Sequence, residues 1–290
     1  MNNLPLEHHH LNTHARHRAK TLTALLWVAR FRWTASALVD QLLGGSGLVR
    51  QLINRKLLVE HPISNPFSPV RYFVTLGSEG LAQLHRYWPE VTHGTHGPIA
   101  SSLSAEWSLP ARQEHRIRKG RFLHDLEVQL ALIRTFQAGS PIESLLLADD
   151  LERVPLDQRP AKIPDIALQV RSEGTEASVS TTTLWGEVEY SRKKRREIDL
   201  FCAYYRGALA GTSERKFDKI VVLCHEAVLA QWRKDFARTI VPKWHFRKAT
   251  RDWVRVDPKH WYHFPELPTE ELEWIIQPLT PQHEDAAAGA

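Results

Sequence analysis

The sequence predicts an α+β / α/β protein of two modules in series, and three features of its order carry that prediction. Apolar residues recur at helical spacing from Lys20 to Lys56; two short alternating or apolar runs follow, at 57–63 and 70–76; and beyond residue 118 striped helices alternate with short apolar strands. Alternation of that last kind implies a mixed sheet covered by helices. A chain of 290 residues has room for one large or two medium domains. Ten tryptophans and 42% hydrophobic residues make it globular, and two cysteines are too few for a disulfide framework or a cysteine-rich zinc site. No apolar run reaches the roughly 18 residues of a membrane span, and no charged start leads into an apolar signal region. The expectation is a cytoplasmic protein with no membrane span.

The first module is basic. From His14 to Leu76 nine Lys and Arg face two Asp and Glu, a net of +7, so the rest of the chain sums to −2 within the total of +5. Such asymmetry points the first module at a polyanion. Lys20 to Arg32 carries Leu22, Leu25, Leu26 and Ala29 on one stripe. Thr34 to Leu43 fits a second helix that Thr34 or Ser36 would cap. After the Gly44-Gly45-Ser46 break, Gly47 to Lys56 fits a third helix. There Val49, Leu52 and Ile53 pack inward, and Arg50, Gln51, Asn54 and Arg55 face out, the residue types that read base edges and phosphates in a major groove. Two strands follow, joined by a 64–69 loop whose Pro66 and Pro69 bar a continuous ladder, and Arg71 at its end is placed to touch a phosphate or the minor groove. A closing helix runs from Gly77 to about Trp88. Helix, helix, helix, strand, loop, strand is the order of a winged helix-turn-helix, so residues 14–90 are expected to bind double-stranded DNA. Protein binding is the competing use of the same elements.

Residues 91–112 read as a linker, with His93 and His96 better explained as linker histidines than as metal ligands, and 113–265 as the second domain. Its first helix, about 118–137, has Leu123, Leu126, Leu130 and Ile133 as its stripe, with His124 and Glu127 neighbours beside it. Strands are expected at 144–148, 163–170, 182–190 and 217–224, with helices at 193–209 and 227–239. In Leu184-Trp185-Gly186-Glu187-Val188-Glu189 the two carboxylates share one strand face about 6.6 Å apart. Asp165 opens the preceding strand. If the two strands are neighbours, three acids converge on one place and make a cation site. An exposed strand face with ordinary acids is the bland alternative. The tail, 277–290, is expected to be disordered.

This order of elements, with these acids, resembles the PD-(D/E)XK nuclease fold. The resemblance implies that Asp165 and Glu187 are metal ligands for Mg²⁺ or Mn²⁺ and that Glu127 is a helix-borne contributor. Glu189 stands where that fold has its lysine, and Lys193 or Lys194 at the start of the next helix would supply the missing cation. His124 or Lys193 would carry a proton or stabilise the transition state. A winged helix followed by His124-Asp125-Leu126-Glu127, Pro164-Asp165, Glu187-Val188-Glu189 and Tyr204-Tyr205 is similar to the replication-relaxation family of plasmid mobilisation proteins, including relaxases of the MobC kind. That similarity covers roughly residues 16–240. It implies metal-dependent nicking of duplex DNA at a plasmid or mobile-element transfer origin, with accessory mobilisation or coupling proteins as partners. Two alternatives stand beside it: a catalytically inactive nuclease-fold regulator or initiator, and a scaffold using the Trp-rich stretch from Trp244 to Trp274.

Overall fold

The computed structural model describes residues 12–45, 47–63, 70–89, 109, 121–138, 142–152, 162–172, 180–189, 193–209, 217–266 and 272–276. The expected loop 64–69, the expected linker apart from residue 109, and the tail lie outside the described residues. The chain is mixed α+β, in two compact units that divide between Leu146 and Leu147. Among the described residues no helix is long and apolar enough to cross a membrane.

The first unit opens with α1 (Thr13–Phe31), whose Asn12 side chain accepts from the Ala15 amide and caps its start. Next come β1 (Thr34–Ala35), α2 (Ser36–Leu43), α3 (Leu48–Asn54), β2 (Leu58–Pro62), β3 (Tyr72–Leu76) and α4 (Ser78–Arg86). The three strands form an antiparallel sheet in the order β1-β3-β2. Thr34 and Ser36 do not cap α2 as expected: Thr34 is drawn into β1, and Ala35 takes the cap position without a side-chain bond. Gly44 ends α2 in the left-handed conformation, φ 66°, and its amide returns to Gln41.

Residues 21–30 of α1 are buried on every side, Trp27 and Arg30 included, so one apolar stripe does not account for this helix. α2, β3 and α4 pack on it, and Trp27 finds further partners on α5 (Phe122–Gln137), the helix expected to open the second domain. Trp27 Nε1 donates to Gln129 Oε1 at 3.2 Å, Gln129 Nε2 donates to the Trp33 carbonyl at 3.1 Å, and Gln137 Nε2 donates to the Gln41 carbonyl at 3.2 Å. Phe122 stacks on Trp33 with centroids 4.5 Å apart. That stacking fills the first core position of α5 and leaves Leu123, expected in the stripe, 46% exposed. Arg30 donates to the carbonyl of Leu145 in β4 (Ile142–Leu147) at 2.9 Å, so one of the nine basic residues of this module holds the fold together and does not face solvent.

The α3 end and α4 meet at close quarters. The Gly77 amide donates to the Leu57 carbonyl at 2.8 Å, and a Cβ on Gly80 would fall on that same oxygen, 3.1 Å from its carbon. Glycine to alanine inside a helix ordinarily stabilises by up to about 1 kcal/mol. Here the sign reverses: Gly80→Ala is expected to lower unfolding free energy by roughly 1–3 kcal/mol, read from urea unfolding, because the clash is with backbone.

The second unit carries α6 (Ala148–Leu151), β5 (Ile166–Ser172), β6 (Ser180–Glu189), α7 (Arg195–Leu209), β7 (Lys219–Cys224), α8 (Glu226–Phe236), β8 (Ile240–Val241), β9 (Trp244–Arg247), β10 (Asp252–Arg255), a 3-10 turn at Pro258–His260, β11 (Tyr262–His263) and β12 (Leu272–Ile276). Within it the main sheet runs β12-β7-β6-β5. β6 pairs antiparallel with β5 and parallel with β7, and β7 pairs parallel with β12. Parallel pairing requires a crossover, and α7 supplies it between β6 and β7.

Candidate functional site

Register places the carboxylates. Ile166 faces Gly186 across the antiparallel ladder, so Asp165, one residue earlier, arrives opposite Glu187 where β6 ends. Asp165 Oδ2 accepts from the Val188 amide at 3.0 Å, which fixes this carboxylate by backbone and not by side-chain chance. Along β6, Trp185, Glu187 and Glu189 share one face, and α7 covers it: Trp185 meets the Tyr204 and Tyr205 rings at 6.2 Å. The exposed-face alternative is therefore excluded, since Glu187 is 2% and Glu189 3% exposed.

Two ammonium groups answer the buried acids. Lys162 Nζ donates to Glu187 Oε1 at 2.5 Å, and the Tyr205 hydroxyl donates to the same oxygen. Lys193, just before α7, reaches back to pair with Glu189. Both ammoniums lie over the Phe201 ring, at 4.6 and 5.3 Å, so each is held between a carboxylate and an aromatic face. Burial raises the Glu187 carboxyl above its ordinary range; Lys162 opposes the shift and Asp165 adds to it. Burial and the Glu187 charge likewise keep the Tyr205 phenol protonated. Lys193 is raised by its acidic neighbours, led by Glu189, against desolvation, which is the largest influence and acts downward.

Glu189 is pushed by burial up to about 7, with Lys193 opposing and Glu187 and Asp165 reinforcing. A carboxyl that titrates near 4.3 when unfolded and about 7 when folded holds a proton in the folded state that the unfolded chain has released. Its contribution to stability is therefore lost as pH rises across that window and is level above it. Glu187 has the same sign and persists in a Glu189 variant. Urea midpoints of wild type and Glu189→Gln from about pH 5 to pH 8 are expected to show a flatter profile in the variant; parallel profiles would contradict the assignment.

Of the expected site residues, Asp165, Glu187, Glu189 and Lys193 come together. His124 and Glu127 belong to the other unit, on α5. There Glu127 is 6% exposed with Arg134 as a charge neighbour, and His124 Nδ1 lies 3.3 Å from Asp125 Oδ1. Lys162 was not among the expected residues. Nothing periodic marks a lysine three residues before Asp165, and only its nearness to Pro164-Asp165 offered a signal. Tyr205, of the Tyr204-Tyr205 pair quoted for the resemblance, bonds to Glu187.

The donors available to a cation are all carboxylate oxygens, a set that suits hard divalent ions such as Mg²⁺ or Mn²⁺. Among the described residues no three His, Cys, Asp or Glu are arranged as a metal group, and Glu187 and Glu189 are each paired with a lysine. On the first unit, Arg50, Gln51, Asn54, Arg55 and Arg71 are all exposed, and Arg50 lies 3.6 Å from Glu60. Compared with protein-family models, curated proteins and solved structures, the chain finds no match in any of the three.

Proposed function

We propose that the chain is a DNA-processing protein of plasmid or mobile-element transfer, of the replication-relaxation kind, that nicks duplex DNA at a transfer origin. In this reading residues 14–90 are a winged helix that holds the duplex, and the second unit is a PD-(D/E)XK-like centre. The observation that carries it is that Asp165, Glu187 and Glu189 lie close enough to act on one another's charge, with Lys162 paired to Glu187 and Lys193 to Glu189. Asp165 and Glu187 would hold Mg²⁺ or Mn²⁺, which when bound activates water and offsets phosphate charge. Glu189 acts through Lys193: it holds an ammonium that would take the part of the PD-(D/E)XK lysine and meet charge developing on the phosphate. Tyr205 and Lys162 keep Glu187 oriented. The test is a supercoiled plasmid bearing the cognate origin, incubated with Mg²⁺, with Mn²⁺ or with chelator. Metal-dependent conversion to open circles is expected, and no conversion with either metal overturns the nuclease reading.

A second reading has its own support. Glu187 and Glu189 are each already paired with lysine, the arrangement of a centre that neutralises its own charge. On that reading the chain is a DNA-binding regulator or initiator without cleavage. Both readings share the recognition helix. Arg50→Ala with Arg55→Ala, at exposed positions, is expected to weaken duplex binding about tenfold and to reduce the slope of log K against log salt by about 2. Unchanged binding and slope would remove α3 from the interface.

A further inference from the structure

Four of the large hydrophobic side chains left exposed in the described residues, Ile240, Phe246, Trp253 and Tyr262, fall within one stretch of the second unit. From Arg238 to His263 that stretch has seven Lys and Arg against two Asp. We propose that the β9–β10 hairpin is a binding platform for single-stranded nucleic acid. The inference goes beyond the cleavage reading and does not depend on it.

Cross-strand register pairs Trp253 with Phe246 and Arg255 with Trp244, so these four share one face of the hairpin. The face is anchored at one end and open at the other. Trp244 Nε1 donates to Asp199 Oδ2 at 3.1 Å, and Arg255 lies 5.1 Å over the Trp244 ring. Phe246 and Trp253 meet at 5.4 Å yet remain 40% and 37% exposed, with Arg196 of α7 positioned 5.6 Å from the Trp253 ring. Exposed Lys248 and Arg251 flank the rings from the turn that joins the strands. Beside the hairpin, Tyr262 of β11 is 38% exposed with Lys243 at 5.6 Å from its ring.

Exposed rings interleaved with cations match a ligand that has flat faces and one charge per unit. An unpaired strand has both, because its bases can stack on the rings while its phosphates meet Lys and Arg. A duplex already stacks its bases on one another and presents only phosphates here. An acidic protein segment would use the cations and leave the rings without purpose. Charge complementarity with stacking thus selects the single strand.

The experiment uses the full chain in chelator, so metal chemistry does not enter. A labelled oligothymidylate of about 16 nucleotides is followed by anisotropy across salt concentrations, beside a duplex of equal length. Phe246→Ala with Trp253→Ala is expected to weaken single-strand binding at least about tenfold, and Trp253→Tyr to retain most of it, since stacking on an aromatic ring is tolerant of its identity. Lys248→Gln with Arg251→Gln, at exposed turn positions that leave the fold intact, is expected to lower the salt slope by about 1.4. Duplex affinity should hold in all hairpin variants. The proposal is overturned if wild type does not bind the oligothymidylate, if the turn variant keeps the full slope, or if the tyrosine variant falls as far as alanine. It is equally overturned if polyglutamate displaces the strand at matched charge, or if duplex and single-strand affinities fall together.

Discussion

Asp165→Asn is expected to reduce the proposed metal-dependent plasmid nicking by at least about a thousandfold while the protein stays folded. The amide oxygen of asparagine can still accept from the Val188 amide, so the bond that fixes this strand end survives. What goes is the charge, and with it one of two oxygens proposed to hold the ion. Glu187→Gln should lose as much activity, for a different reason: its burial makes it the less replaceable carboxylate, and Lys162 would be left facing a neutral amide. Lys193→Ala separates positioning from binding. It should cost turnover with little change in the Mn²⁺ concentration needed, because its ammonium is assigned to the phosphate and not to the ion. Equal nicking by wild type and Asp165→Asn would remove the centre from the chemistry, and a shifted metal requirement in Lys193→Ala would remove its assigned role.

The largest expected effect on stability lies away from that centre. Asp199 is fully buried on α7 and accepts from Arg238 Nη1 at 2.7 Å and from Trp244 Nε1 at 3.1 Å. Arg195 adds an ion pair at 3.3 Å, but it is half exposed and contributes little. Asp199→Ala takes from the mostly buried Arg238 the nearer of its two carboxylates, leaving Asp235 Oδ1 at 3.5 Å, and takes from the indole its acceptor, and is expected to cost about 3 kcal/mol in urea unfolding. Asp199→Asn keeps an acceptor and should recover part of that. Because Trp244 opens the β9–β10 hairpin, the alanine variant should also loosen hydrogen-exchange protection there before the main sheet opens. Loss confined to a few tenths of a kcal/mol would mean that solvent already reaches the pair.

The carboxylates were legible in the sequence because strand geometry has period two. Glu187 and Glu189 had to share a face, and Asp165 needed only a neighbouring strand to join them. The two ammoniums differ in how they could be seen. Lys193 follows Glu189 by four residues, a short reach, whereas Lys162 comes from a non-repeating segment and needed the fold to place it. The helix carrying His124 and Glu127 was legible as a helix, but an amphipathic stripe says that a helix packs and not against what. Trp27 and Arg30, off the stripe of α1, held the missing clue: large side chains there need cover, and Gln129 and Leu145 turn out to supply partners. Pairings such as Asp199 with Arg238, 39 residues apart, have no periodic trace at all.

The antiparallel β5–β6 ladder has one more consequence, for anyone who wants to handle this protein. Its register runs from Ile166 opposite Gly186 to Ser172 opposite Ser180, so the chain turns back at the end remote from Asp165 and Glu187. Six strand steps separate the two ends, about 20 Å. A fluorophore attached at the Ser172–Ser180 end of this ladder would therefore report on the sheet without touching the carboxylates.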